Sequence, residues 1–204
     1  MGVVNVGIMG GTFDPIHNGH LAVAREVRRR LGMARVIFVP AGQPWLKSAR
    51  LVTPAAHRFE MVRLAIRRYG NFEVSPIEID RDGPTYTIDT IREMSTALGA
   101  GHELFFITGW DSLKQLPQWR DAMALVHLCW LVAVPRPGVA TPDMASLEAA
   151  IPGIGARLML LDRPRVDVSS TEVRWRVLRG ESIEGLVPKA VEHYISEHGL
   201  YTAG

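Results

Sequence analysis

Cysteine occurs once in 204 residues, and lysine only at Lys47, Lys114 and Lys189. A lone cysteine cannot build a disulfide framework. Cys129 lies in the apolar run 128–134, where a buried core thiol is expected rather than a nucleophile or metal ligand, and a reducing compartment follows. No apolar run reaches the ~20 residues a membrane span needs, and residues 1–5 lead into a strand-like segment rather than a signal peptide. A soluble, cytoplasmic protein with no membrane partner is expected. An excess of one charge is also missing: 23 Lys and Arg stand against 21 Asp and Glu, for a net charge of +2. No basic stripe marks a nucleic-acid groove, so nucleic acid is not an expected partner, while small anionic ligands suit the mild positive excess. Internal repeats, low-complexity tracts, a Gly-Lys-Ser/Thr phosphate loop, G-x-G-x-x-G and H-E-x-x-H are all lacking.

What is present is a chain with 47% hydrophobic residues, enough to bury a core in one compact domain over residues 1–204. Short β-branched runs at 3–9, 35–39, 72–79, 104–108, 128–134 and 158–161 read as strands. Helical patterns fall between them at 19–31, 54–69, 87–98, 112–126 with a break at Pro117, and 143–150. Steady alternation of this kind implies βαβ units and an α/β fold with a Rossmann-like, doubly wound parallel sheet. Two further helices, 170–179 and 188–198, are expected to form a small helical subdomain over 170–204. In such sheets ligands bind beyond the carboxyl ends of the strands, so the loops after each strand carry the search for function.

After the first strand runs Gly10-Gly11-Thr12-Phe13-Asp14-Pro15-Ile16-His17-Asn18-Gly19-His20, a glycine-rich turn opening onto a helix. Glycines let a backbone approach a phosphate, and a helix start supplies N–H groups and positive potential. His17 and His20, three apart, project from one face at that end, where two imidazoles can donate hydrogen bonds to charge developing on a leaving pyrophosphate. The plainer alternative is a turn with one core and one solvent histidine. A zinc site of His17, His20 and Asp14 is disfavoured by the missing cysteine partner.

At these residues the chain resembles the HxGH nucleotidyltransferase superfamily, and within it the bacterial nicotinate-mononucleotide adenylyltransferases. Further segments match in order along nearly the whole chain. In Val168-Ser169-Ser170-Thr171-Glu172-Val173-Arg174, Ser169 and Glu172 have capping-box spacing and Arg174 lies near a helix start. On residues alone this is either a structural cap or a second anion site; the resemblance implies that Ser170, Thr171 and Arg174 hold the β- and γ-phosphates of ATP. In Gly109-Trp110-Asp111, Asp111 reads equally as a ribose acceptor or a helix cap. The resemblance implies nucleotide contact by Gly109 and Asp111, with Trp110 standing where the family usually has a small residue. Thr85-Tyr86-Thr87 resembles the family's Ser-Tyr-Thr signature, Thr85 replacing serine, and implies a site for the nicotinate carboxylate. Trp119 matches the tryptophan that stacks on the pyridine ring, the alternative being an ordinary buried tryptophan. Lys47 follows the second strand, in a loop where Trp45 replaces a more usual histidine.

The resemblance therefore implies transfer of AMP from ATP to nicotinate mononucleotide, with release of pyrophosphate, in NAD biosynthesis. It assigns His17, His20, Lys47 and Arg174 to catalysis, Gly10, Gly11, Thr12 and Phe13 with His20 to ATP, and Thr12 and Lys47 with the 85–87 segment to the acceptor. Mg²⁺ would arrive with ATP, since no carboxylate cage is visible in the sequence. The acceptor phosphate is already largely ionised, with a second pKa near ~6, so no general base is needed and none of the Ser/His/Asp kind is seen. A pantetheine-phosphate adenylyltransferase lacks the 85–87 segment, and a non-catalytic nucleotide-binding regulator would not need His17, His20 and Arg174 intact. A homo-oligomer is compatible with the sequence.

Overall fold

The computed structural model describes residues 2–44, 52–164 and 166–202. Six parallel strands form the central sheet: β1 (Val4–Gly11), β2 (Arg35–Pro40), β4 (Phe72–Val74), β6 (His102–Gly109), β7 (Trp130–Val134) and β8 (Leu158–Leu160). Their spatial order is β4-β2-β1-β6-β7-β8, the doubly wound order in which the chain leaves the two central strands in opposite directions. A second sheet is a single parallel pairing of β3 (Gln43–Pro44) with β5 (Pro84–Thr85). Helices α1 (Asn18–Arg30), α2 (Ala55–Ile66), α3 (Thr87–Leu98), α4 (Trp110–Lys114), α5 (Ala122–Leu128), α6 (Met144–Ala150), α7 (Ser170–Leu178) and α8 (Lys189–Glu197) complete the chain.

The middles of the central strands β1, β2, β6 and β7 are apolar because they are buried on both faces. In β6, Phe105 and Ile107 face one layer while Leu104 and Phe106 face the other; in β7, Val132 and Val134 oppose Leu131 and Ala133. One layer is closed by Leu21, Ala24 and Val27 of α1, Met61, Val62 and Ala65 of α2, Val173 of α7, and Val191 and Ile195 of α8. The other is closed by Ile88, Ile91 and Met94 of α3, Trp110 and Leu113 of α4, Leu125 of α5 and Leu147 of α6. The three- and four-residue spacings are those of helices with one apolar stripe. Cys129 is buried in the second layer, its thiol pushed up to about 12 chiefly by desolvation, as a core residue should be. No helix among the described residues is long and apolar enough to cross a membrane.

Two expected elements are cut differently. The strand expected over 72–79 stops at Val74, because Pro76 has no N–H for the ladder and its carbonyl instead accepts from the Ile79 and Asp80 amides in a turn. The helix expected over 112–126 starts earlier, at Trp110, passes through a 3₁₀ turn at Leu116–Gln118, and resumes at Ala122.

Because Ile195 is 2% exposed and seats α8 on the sheet, Ile195→Ala is expected to lower the free energy of unfolding by about 2–5 kcal/mol. Urea titration followed by circular dichroism measures this, and an unchanged midpoint would mean that α8 adds nothing to the core.

Candidate active site

The glycine-rich turn leaves β1 beside Gly109 at the end of β6, in the crevice where the strand order reverses. Its peptide oxygens are held by distant parts of the chain. Ala41 N–H donates to Gly11 O at 2.9 Å, and Arg58 Nη1 to Thr12 O at 2.8 Å. Arg174 Nη1 donates to Asp14 O, and Ser170 Oγ to Pro15 O at 2.9 Å. Arg58 is 1% exposed and also donates to Thr53 O and Gly42 O, so one guanidinium joins the turn to the loop after β2. Burial works against its charge, and the neighbouring Asp14 and Glu78 oppose that effect. Phe13 sits at φ 49°, a left-handed conformation that side-chain-bearing residues seldom hold away from functional turns.

His17 caps α1, and the two histidines cap each other. His20 N–H donates to His17 Nδ1 at 3.4 Å while His17 N–H donates to His20 Nδ1 at 3.2 Å, and the rings stack with centroids 3.6 Å apart. A Cβ at Gly19 would lie 2.9 Å from His17 Nδ1, so the stacked pair requires glycine between its members. With each Nδ1 accepting, the neutral form of each ring carries its proton on Nε2. His17 Nε2 is buried and meets no hydrogen-bond partner among the described residues. Burial, and next the charge of Arg136, lower the His17 pKa from 6.5 to about 3, so the ring is neutral and its Nε2–H is an unspent donor. The expectation of free amides at the start of α1 is narrowed, since Asn18 N–H goes to Leu186 O and His20 N–H to His17. Donors for an anion come here from imidazole edges.

The other expected residues fall around this turn. Ser170, Thr171 and Arg174 start α7 against it, with Arg174 Nη2 donating to Thr171 Oγ1 at 3.2 Å. Ser169 Oγ accepts from Glu172 N–H, but the expected capping box is only half formed: the Glu172 carboxylate bonds Arg176 at 2.7 Å instead. Asp111 does not cap α4, whose cap position is Gly109; its carboxylate accepts from Arg136 Nη1 at 2.8 Å. A Cβ at Gly109 would lie 2.4 Å from Asp111 Oδ1, so a side chain there would displace that carboxylate. Trp110 points into the core beside α3 and α5.

On the far side, the β3–β5 pairing sets Thr85 beside the loop after β2, with the Thr85 hydroxyl donating to Gln43 O at 3.4 Å. Tyr86 is the cap position of α3 and makes no side-chain cap bond, and Arg120 lies over its ring at 4.7 Å. Thr87 opens that helix. Beneath, the Glu78 carboxyl is buried and pushed upward by desolvation, with the Thr90 and Thr85 hydroxyls opposing the shift; Thr90 Oγ1 donates to it at 2.6 Å. Trp119 is half-buried, edge-on to Phe106 at 5.9 Å, with an unpartnered indole N–H among the described residues. Lys47 and Trp45 lie outside the described residues.

Sequence reasoning placed His57 and Arg58 in the helix after the Lys47 loop without giving Arg58 a role, and passed over Arg136 and Glu78. Arg136 had a usable signal, a cation just beyond the end of β7, where such sheets bind ligands. Arg58 and Glu78 had none, because burial of a charged residue shows only in three dimensions.

Comparison with known proteins identifies the family. The family model for cytidylyltransferase-like proteins matches residues 8–176. A protein of Dehalococcoides mccartyi (strain ATCC BAA-2266 / KCTC 15142 / 195), named "Probable nicotinate-nucleotide adenylyltransferase", is 51% identical over 97% of both chains. One of the same name from Roseiflexus sp. (strain RS-1) is 45% identical over 96% of this chain and 97% of its own. Among solved structures, nicotinic acid mononucleotide adenylyltransferase of Plasmodium falciparum complexed with NaAD superposes with a TM-score of 0.79 over 97% of each chain, at 20% identity.

The depressed His17 pKa has a measurable consequence. The folded chain keeps His17 neutral where the unfolded chain takes up a proton, so its contribution to stability is complete above 6.5 and fades as pH falls toward about 3. His17→Asn keeps a capping acceptor but does not titrate. The stability advantage of wild type over this variant should therefore shrink from about pH 7 to about pH 4, as read from urea midpoints at each pH. A constant difference would contradict a buried neutral imidazole.

Proposed function

The chain belongs to the cytidylyltransferase-like family and, within it, to the nicotinate-nucleotide adenylyltransferases, and from its site we infer that it transfers AMP from ATP to nicotinate mononucleotide, releasing pyrophosphate. The observation that carries the mechanism is the reciprocal histidine cap. It turns both rings into Nε2–H donors and keeps His17 out of proton exchange.

The acceptor is a phosphate monoester with a second pKa near ~6, mostly dianionic at neutral pH, so it attacks the α-phosphorus without a base. What the reaction needs is alignment and donors for the charge that gathers on the α-phosphate and the departing oxygen. His17 and His20 supply those donors. Gly10, Gly11, Thr12 and Phe13 line the approach to the nucleotide, and Gly109 and Asp111 face its ribose. The start of α7, with Thr171 and Arg174, takes the β- and γ-phosphates. Since the Ser170 hydroxyl proton is directed to Pro15 O, Ser170 has its amide to offer the phosphates. Lys47 is assigned to the same phosphates and to the acceptor.

Among the described residues no group of three His, Cys, Asp or Glu side chains gathers, and the Asp14 carboxylate in the turn already pairs with Tyr201. Mg²⁺ is read as coming on the phosphates of ATP, where it would neutralise part of their charge, as in other phosphoryl transfers. Residues 1–204 act in this reading as one nucleotidyltransferase domain in the cytoplasm, with 170–204 as its helical end.

The acceptor ring is read between Trp119 and the start of α3. That helix is twelve residues long with no side-chain cap, so its first amides and dipole favour a carboxylate, while the Glu78 carboxyl beneath it accepts from the Thr90 hydroxyl. An amide would bring its own NH₂ against those donors.

Pyrophosphate release measured with ATP, Mg²⁺ and each mononucleotide in turn should show a preference for nicotinate over nicotinamide mononucleotide of at least ~10²-fold in kcat/KM. Equal values would remove the carboxylate site from α3. His20→Ala should lower kcat by ~10²- to 10³-fold with a smaller change in KM for ATP, as loss of a transition-state donor does. A raised KM with unchanged kcat would reduce His20 to a binding residue.

A further inference from the structure

The mechanism leaves unused a phenol at the far end of the chain. After α8, Gly199 adopts φ 56° and Leu200 N–H returns to Ile195 O at 3.0 Å, closing the helix and turning the chain back toward the sheet. Tyr201 follows at φ 66°, again left-handed and without glycine's licence. Its hydroxyl donates to Asp14 Oδ1 at 2.8 Å, 187 residues away in sequence. Asp14 is 6% exposed, so its carboxylate depends on protein partners. Its other oxygen, Oδ2, faces Arg174 Nη1 at 3.9 Å, beyond hydrogen-bond distance, while that same Nη1 donates to the Asp14 peptide oxygen. The Arg174 side chain is itself 15% exposed.

We propose that Tyr201 is a positioning residue for adenylyl transfer, its phenol holding the Asp14 carboxylate so that Arg174 stays bonded to the turn's peptide oxygen and keeps its charge for the triphosphate. The proposal rests on the reading of Arg174 as a phosphate ligand. Asp14 has two oxygens and two cationic neighbours, Arg174 at 3.9 Å and the more distant field of Arg58. With Oδ1 satisfied by the phenol, the carboxylate has less to gain by closing its 3.9 Å ion pair with Arg174 to a hydrogen bond. Without the phenol, the buried carboxylate is short of a donor, and the mobile partner that can supply one is the Arg174 guanidinium. A carboxylate-bound Arg174 is a poorer phosphate ligand, because its charge is already matched. The phenol is fit for this task, since burial and the Asp14 charge both push its ionisation upward and keep the proton in place.

The test uses the full chain and calorimetric binding of a non-hydrolysable ATP analogue and of nicotinate mononucleotide. Tyr201→Phe should weaken the analogue about 10-fold, the effect of losing a hydrogen bond to a charged group, and leave the mononucleotide within about 2-fold. In an Arg174→Ala background the same change should have no further effect on the analogue, since the two residues act as a unit. Wild-type affinity in Tyr201→Phe, equal losses for both ligands, or independent additive losses in the double variant would each overturn the proposal. If Arg174→Ala weakens the analogue and Tyr201→Phe does not, the proposal fails alone; if Arg174→Ala is silent, the phosphate assignment fails with it. Should Tyr201→Phe not fold, Tyr201→His, which keeps a ring N–H donor, and Tyr201→Leu, which keeps none, supply the readout: the analogue should bind Tyr201→Leu about 10-fold more weakly than Tyr201→His. Equal affinities for the two would refute the role.

Discussion

Four demands for a hydrogen bond within one turn, from the peptide oxygens of Gly11, Thr12, Asp14 and Pro15, are met by Ala41, Arg58, Arg174 and Ser170. Peptide oxygens are the negative ends of the backbone dipoles, and a turn that receives polyphosphate cannot afford to aim them at its ligand. They are instead bound by three separate elements: one by the loop after β2, one by α2 and two by α7. A loop of this kind would otherwise sample many conformations, at a cost of about 1–2 kcal/mol per residue to order on binding. The packing of the helical layer formed by α1, α2, α7 and α8 is thus tied to the site, because α2 and α7 must be seated before Arg58, Ser170 and Arg174 can reach the turn.

The histidine pair shows how the same economy of hydrogen bonds fixes protonation. An imidazole that accepts at Nδ1 has its neutral proton on Nε2, and a backbone amide supplies that instruction to both His17 and His20. Burial then removes the charged form of His17. The outcome is a donor rather than an acid or base, which is what transfer to an already ionised phosphate requires. Gly19 belongs to the same device, for any side chain there would strike the His17 ring. The spacing in the motif thereby acquires a steric reason as well as a chemical one.

Much of this was legible in the sequence, and the limits follow distance along the chain. Strands at 35–39 and 104–108 and the helix over 87–98 could be read because periodicity is local, and six strands alternating with helices leave few arrangements other than a doubly wound sheet. The β3–β5 pair could not be read, since two residues carry no period. The half-formed box at Ser169 was misread because Glu172 has a competing partner four residues on, and an ion pair with Arg176 outweighed a second cap bond. Asp111 could not be assigned between cap and acceptor until Arg136, 25 residues later, was seen to hold it. The bond from Tyr201 to Asp14 lies furthest from what local reasoning can reach.

Charges buried in this way are costly, and their retention calls for a reason other than stability. Arg58 at 1% exposure and Asp14 at 6% would each be replaced with little loss, or some gain, by apolar residues if only packing mattered. An apolar side chain, however, cannot bind Thr12 O, Gly42 O and Thr53 O together, and those oxygens would then be left without partners or turned toward the ligand. Arg58 therefore trades desolvation for the fixed relation of two loops, one carrying the phosphate turn and the other leading toward Lys47. Asp14 does the same for the two ends of the chain, since the residue that opens α1's loop also receives Arg174 and Tyr201. Substitution at either position should consequently disturb ligand binding more than its effect on folding would suggest, because the free energy spent on burying the charge is recovered as order in the turn rather than as stability of the core.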